Sequence, residues 1–153
     1  MILLKEYNQR WYILCNTQED VGQSLKLRTL ALDRIEHISS LQLPFVPAPE
    51  QVNGYFDEVI GITKKADQKH DCQEITIRCN PKEFKYILTK PIHPSQRPVH
   101  DKPHHIKLKL RENYELYQWL LFYGDKIEII SPEHIRCEFK KILQRMMAMY
   151  KDR

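Results

Sequence analysis

Glycine is scarce: four residues in a chain of 153. A phosphate-cradling loop needs several positions where the backbone takes positive φ or meets a ligand without a Cβ, so this scarcity leaves little room for one. No G-x-S-x-G elbow, P-loop, H-E-x-x-H pair or glycine-rich dinucleotide turn occurs. Adjacent carboxylates such as Asp57 and Glu58 point to opposite sides of any strand and make no acid–base pair. The reading is of a protein that is not an enzyme and carries no cofactor.

Long apolar runs are also missing. The longest are a few residues, such as Trp119-Leu120-Leu121-Phe122-Tyr123, far short of the roughly 20 needed to cross a bilayer. The N-terminus, MILLKEYN, brings in charge at once and lacks the apolar core of a signal peptide. A cytoplasmic protein with no membrane partner is expected. Cys15, Cys72, Cys79 and Cys137 form no C-x-x-C pair and fit no zinc spacing, so they are read as free thiols. His93, His100, His104 and His105 fall in a proline-rich stretch without cysteine or carboxylate at ligand spacing, so no metal is expected there.

At 42% hydrophobic and 29% charged residues, the composition is that of a globular domain, or two very small ones. The net charge of +4 is uneven, with −3 over residues 1–62 and +7 over residues 63–153. A basic half attracts polyanions, but a solvated mixed-sign surface explains the same numbers.

The first third reads as β. A hairpin-like break at Tyr7-Asn8-Gln9 precedes the strand RWYILC, and a polar loop over 16–24 leads to a second strand, Leu25 to Leu32. Asp33 to Ile38 continues that strand or starts a third. Three prolines in LPFVPAP, residues 43–49, forbid regular structure and leave a crossing segment held by Phe45 and Val46. A short element over 56–62 closes a first unit, 1–63. Residues 64–71 are charged and carry no large apolar side chain, which places the boundary there.

The second unit, 72–153, alternates strand and helix. Glu74 to Cys79 alternates with period two. Asn80-Pro81 with Glu83 then announces a helix start, and Pro91 an end. His105 to Arg111 is a strand, Asn113 caps a helix that stops at Gly124, and Lys126 to Ile130 is a further strand. Ser131-Pro132-Glu133 predicts an N-cap at Ser131 and a long helix with Ile135, Phe139, Ile142, Leu143, Met146 and Met149 at helical spacing.

Two strings carry a resemblance. Arg10-Trp11-Tyr12-Ile13, followed by Arg28-Thr29-Leu30-Ala31-Leu32-Asp33-Arg34-Ile35, is similar to the paired motifs of the WYL domain of bacterial transcription regulators. The downstream Y-E-L-x-x-W-L-L-x-Y-G-D and I-E-I-I-S-P-E resemble the extension that follows it. The resemblance implies an α+β chain: an Sm-like small β-barrel, then a ferredoxin-like βαβ-type extension. It also implies a ligand-sensing regulatory module for single-stranded nucleic acid or a nucleotide-like anion, a homodimer, and a DNA-binding domain in the parent protein. Isoleucine replaces the leucine of the tripeptide, and Ala31 stands where many members have a second arginine. The chain begins almost on the WYL strand, so a fragment, or a barrel completed by a partner's strand, is expected.

The candidate ligand residues are Tyr12, Arg28 and Arg34, with Arg10 and His37 beside them. Tyr12 is suited to stacking on a base and is equally read as structural. Arg28 and Arg34 offer planar guanidinium groups to phosphate, and on a straight strand they share a face with Leu30 and Leu32. Asp33 is expected to orient an arginine through an ion pair with one of these two, and Trp11 to support the core. Lys107, Lys109, Lys140, Lys141 and Arg145 are a basic set that guides a ligand or serves a dimer. The alternative function is a dimerisation or protein-interaction module with no ligand of its own.

Overall fold

The protein is described by a computed structural model covering residues 3–16, 27–40, 52, 54–64 and 71–151. The LPFVPAP segment, most of the 16–24 loop and Leu25-Lys26 lie outside the described residues. The chain forms two compact units: Met1–Asp57 with Gly61–Thr63, and Glu58–Ile60 with Lys64–Arg153. Its class is α+β, with two antiparallel sheets and three α-helices among the described residues.

The first unit carries strands β1 (Leu3–Tyr7), β2 (Arg10–Asn16) and β3 (Leu27–Ala31), in the sheet order β1-β2-β3. Asn8 and Gln9 both take positive φ, 50° and 61°, which matches the right-handed twist of a tight two-residue hairpin. Pairing of Lys5 with Tyr12, and of Tyr12 with Ala31, sets the faces. Lys5, Tyr12, Leu14, Thr29 and Ala31 share the inner face, where Leu14 and Ala31 are buried. Val52 and Phe56 are buried in this unit as well, and the Lys5 ammonium sits 4.4 Å from the centre of the Phe56 ring. Leu4, Trp11, Ile13, Arg28 and Leu30 share the outer face.

Several expectations are corrected here. After Ala31 the strand ends in a 3-10 turn, Leu32–Arg34, and residues 35–40 form no strand. Residues 54–62 are a run of turns and bends without a strand or helix. Among the described residues the first sheet is open, with three strands.

The second unit contains β4 (Gln73–Cys79), α1 (Pro81–Thr89), β5 (Arg97–Pro98), β6 (His105–Leu110), α2 (Tyr114–Tyr123), β7 (Ile127–Ser131) and α3 (Glu133–Met149). The sheet order is β5-β6-β4-β7 and every pairing is antiparallel, the topology of a split βαβ pair. One face is apolar. Ile75 opposes Leu108, and Ile77 opposes both Ile106 and Ile129. All of these are buried, together with Ile87 of α1, Leu116 and Leu120 of α2 and Ile135 of α3. Each such side chain contributes about 1.5–3 kcal/mol through burial. The opposite face carries Glu74, Arg78, Lys107 and Lys109, with a 2.7 Å ion pair between Lys107 and Glu74.

The helix ends follow from their caps. Asn80 Oδ1 accepts from Glu83 N at 2.8 Å, and Asn113 Oδ1 from Leu116 N at 2.9 Å. At the far end of α1 the buried Gln96 donates to Ile87 O at 2.9 Å, satisfying a terminal carbonyl. The start of α3 differs from expectation. Ser131 is held in β7 by pairing with Thr76, so the extended Pro132 takes the N-cap position without a side-chain cap.

Asn113 does a second thing. Its Nδ2 donates to Ile60 O at 2.7 Å, and Arg111 N donates to Glu58 O at 2.6 Å. The Arg111 guanidinium also meets Glu58 Oε2 at 2.6 Å. These bonds lay Glu58–Ile60 along residues 111–113, which is why three residues preceding Gly61 belong to the second unit.

Candidate functional site

Three of the candidate residues come together where the hairpin meets the 3-10 turn. Arg10 opens β2, and Asp33 lies in the turn that follows β3. Arg10 Nε reaches Asp33 Oδ2 at 3.1 Å, both side chains about half exposed. The expected ion pair of Asp33 therefore forms with Arg10 rather than with Arg28 or Arg34. Tyr12, two residues along β2, shares Arg10's face and is half-buried. Arg34 is exposed on the same short turn as Asp33.

The other candidates are placed elsewhere. Arg28 lies on the outer face, so the sheet separates it from Tyr12. Arg34 has left the strand and shares no strand face with Arg28. His37 is exposed in the irregular stretch after the turn. Trp11, expected in the core, is 51% exposed. The reason is parity: Leu14 is the buried residue of β2, and Trp11 is an odd number of residues away. Ala31, where the resemblance places a second arginine, is buried directly opposite Tyr12. A methyl group therefore stands opposite Tyr12 in place of a cation, and Arg10 is the arginine of β2 on that face.

Polar clusters in the second unit were not legible from spacing. Tyr117 donates to Glu112 at 2.5 Å, Glu112 lies 3.7 Å from His134 Nε2, and His134 Nε2 is 3.0 Å from Gln73 Nε2. Burial first, and the bond to Glu112 second, push the Tyr117 phenol up. These residues come from β4, the β6–α2 junction, α2 and α3, so no local pattern announces them. A second cluster joins Glu128 to Arg136, at 2.9 Å, and to Arg78. The Arg136 hydrogen bond, assisted by Arg78, holds the Glu128 carboxyl below its ordinary value. Both clusters tie elements together across the unit.

Of the four histidines of the 93–105 stretch, His100 is exposed and the other three have separate contacts. His93 is buried and bonded to Ser95 Oγ at 2.8 Å; His104 meets the Phe84 ring edge-on at 5.5 Å; His105 bonds to Pro103 O. Among the described residues no group of three or more potential metal ligands forms. Of the basic set, Lys107 and Lys141 are committed to Glu74 and Glu138, while Lys140 and Arg145 are exposed on α3.

The split βαβ sheet with its covering helices has a match among known families: residues 73–147 fit the WCX domain. These residues are a WCX domain. It is the extension associated with WYL domains, so the match falls where the motifs of the first unit place such an extension. No curated protein matches the chain. The last helix, α3, carries an apolar stripe that the second unit covers only in part. Ile135 is buried, Phe139 and Ile142 are half-buried, and Met146 and Met149 are exposed. No described helix is long and apolar enough to cross a membrane.

Proposed function

We propose that this chain is the ligand-sensing module of a bacterial transcription regulator, and that it takes single-stranded nucleic acid or a nucleotide-like anion on its first unit. The WCX domain supports a regulatory, WYL-associated role. The observation that carries the ligand reading is the Arg10–Asp33 pair beside Tyr12. A guanidinium fixed by a carboxylate through Nε is pre-oriented for an oxyanion, and a half-buried ring on the same face offers a surface for a base. Arg34 adds a second cation at the same corner. On this reading β1–β3 are strands of an Sm-like barrel and the module acts as a cytoplasmic sensor rather than an enzyme. Ligand binding regulates an attached DNA-binding domain by favouring one of two arrangements, which requires different affinities for the two.

Fluorescence anisotropy with labelled oligo-dT and oligo-U, titrated across salt, tests this. Affinity falls with salt, and Tyr12→Ala weakens binding by about 5- to 150-fold, the equivalent of one stacked base. Arg10→Ala weakens it as well, whereas Arg28→Ala on the outer face leaves it nearly unchanged. Equal losses for Arg10→Ala and Arg28→Ala would move the site off the inner face.

A second reading is favoured by the exposed end of the α3 stripe. Met146 and Met149, with Tyr150 beyond them, are apolar side chains in water, as expected for a helix that packs against a second copy. In that case neither oligonucleotide binds at low salt, and light scattering gives twice the chain mass.

A further inference from the structure

The second unit has a groove at the edge of its core. It runs between one face of α1 and the segment from β5 to the start of β6, with a volume of about 430 Å³. Pro81, Phe84 and Leu88 of α1, with Pro98, Val99 and Pro103 opposite, give it an apolar floor. Lys85, Lys102, His100 and His104 are its polar lining, and no carboxylate lines it. Residues 81, 84, 85 and 88 fall on a single helical face, so α1 presents floor and cation together.

The far wall is preorganised. Cys79 N donates to His104 O at 2.8 Å and Val99 N to His105 O at 2.9 Å, while Lys102 and His105 close turn bonds within the loop. Pro98 and Pro103 fix φ at two further points. Lys85 and Lys102 form no ion pair among the described residues, unlike Lys107, Lys126 and Lys141. Glu83 faces Lys126 at 3.8 Å and does not line the groove; neither does Asp101, the carboxylate between His100 and Lys102.

We infer that this groove is a docking site for an acidic segment of a protein partner, one with carboxylates flanking an apolar side chain. The apolar side chain fills the floor between Leu88 and Pro98, and the carboxylates meet Lys85 and Lys102. Charge complementarity selects an acidic occupant. The floor selects a peptide over a nucleic acid, because it is built mainly from aliphatic and proline side chains, and its Phe84 ring is in T-shaped contact with His104. Base stacking needs an open aromatic face. The inference is independent of the ligand reading of the first unit.

The test uses the full chain and two probes, a fluorescein-labelled peptide Asp-Glu-Asp-Leu-Phe-Glu-Asp and a labelled oligo-dT. Circular dichroism melting confirms that each variant is folded. The peptide binds, Lys85→Glu and Lys102→Glu each weaken it about tenfold, and replacing its Leu-Phe by Ser-Ser weakens it comparably. Arg10→Ala, which tests the first unit, leaves peptide binding unchanged. The inference is overturned if the peptide does not bind or if both charge reversals leave it bound. It is equally overturned if oligo-dT is the probe that Lys85→Glu and Lys102→Glu release.

Discussion

In the four-stranded sheet, Ile75, Ile77, Ile106, Leu108 and Leu110 are all at 0% exposure, whereas the three-stranded sheet leaves Leu4, Trp11 and Leu30 at 45, 51 and 42%. Both sheets are antiparallel and both are built from strands with apolar residues at alternate positions. What differs is the supply of covering elements. In the second unit the first and third strands each run into a helix opened by an asparagine cap, and the helices return over one face. In the first unit β1 and β2 join through a two-residue hairpin, and among the described residues no α-helix follows. Its inner face buries Leu14 and Ala31 but leaves Tyr12 half-buried and Arg10 exposed, and its outer face carries exposed apolar side chains. A covered sheet is suited to holding shape, and a half-covered one to meeting something else.

Substitutions that contrast the two sheets give the largest effect. Ile106→Ala should cost about 2–5 kcal/mol, because it opens a cavity in a core closed on every side. Leu30→Ala should cost no more than about 0.5 kcal/mol, as for an exposed position. Hydrogen exchange of the β4 and β6 amides, and of the β1–β3 amides, reads the two separately. Equal losses would mean that the outer face of the first sheet is covered in solution.

A smaller effect is expected where Glu58–Ile60 join the second unit. Asn113→Ala removes the α2 cap and leaves the Ile60 carbonyl without its donor. Together these should cost about 2 kcal/mol. Asn113→Asp should retain the cap and lose the Ile60 bond, which separates the two terms in a urea titration.

The smallest effect concerns pH. The Arg111 hydrogen bond, with help from Lys64, holds the Glu58 carboxyl below its ordinary 4.5. A carboxyl with a depressed folded value contributes stability that is present above its unfolded value and is lost as pH falls through the folded one. Wild type should therefore lose stability as the pH drops below about 4.5, and part of that slope should be missing in Glu58→Gln. Thermal melts of both proteins from neutral pH to pH 3 would show it. Parallel curves would remove Glu58 from the link between residues 58–60 and the second unit.

Much of the second unit was legible. Asn80-Pro81, Asn113 and Gly124 mark helix ends through local chemistry that acts within a few residues, and the structure uses them where they stand. The apolar alternation of β4 and β6 likewise named the buried residues. The first unit was less legible, because β2 carries large apolar or aromatic residues on both faces, Trp11 and Ile13 on one and Tyr12 and Leu14 on the other. Alternation then defines two sets without saying which is inside. The candidate site suffered from the same ambiguity: Arg28 and Tyr12 looked like partners in one dimension and lie on opposite faces of the sheet. Arg10 became the residue paired with Asp33 because β3 ends at Ala31 and a 3-10 turn follows, a stop that the alternating sequence conceals.

By itself, then, the sequence determined the strand–helix alternation of the second unit and most of its helix ends, since these rest on backbone preferences and caps that operate over short spans. Only the tertiary structure decided which face of the first sheet is covered, which arginine Asp33 holds, and that residues 58–60 lie with the second unit. Those outcomes depend on groups that meet across long stretches of chain, and no local preference encodes which of them will meet.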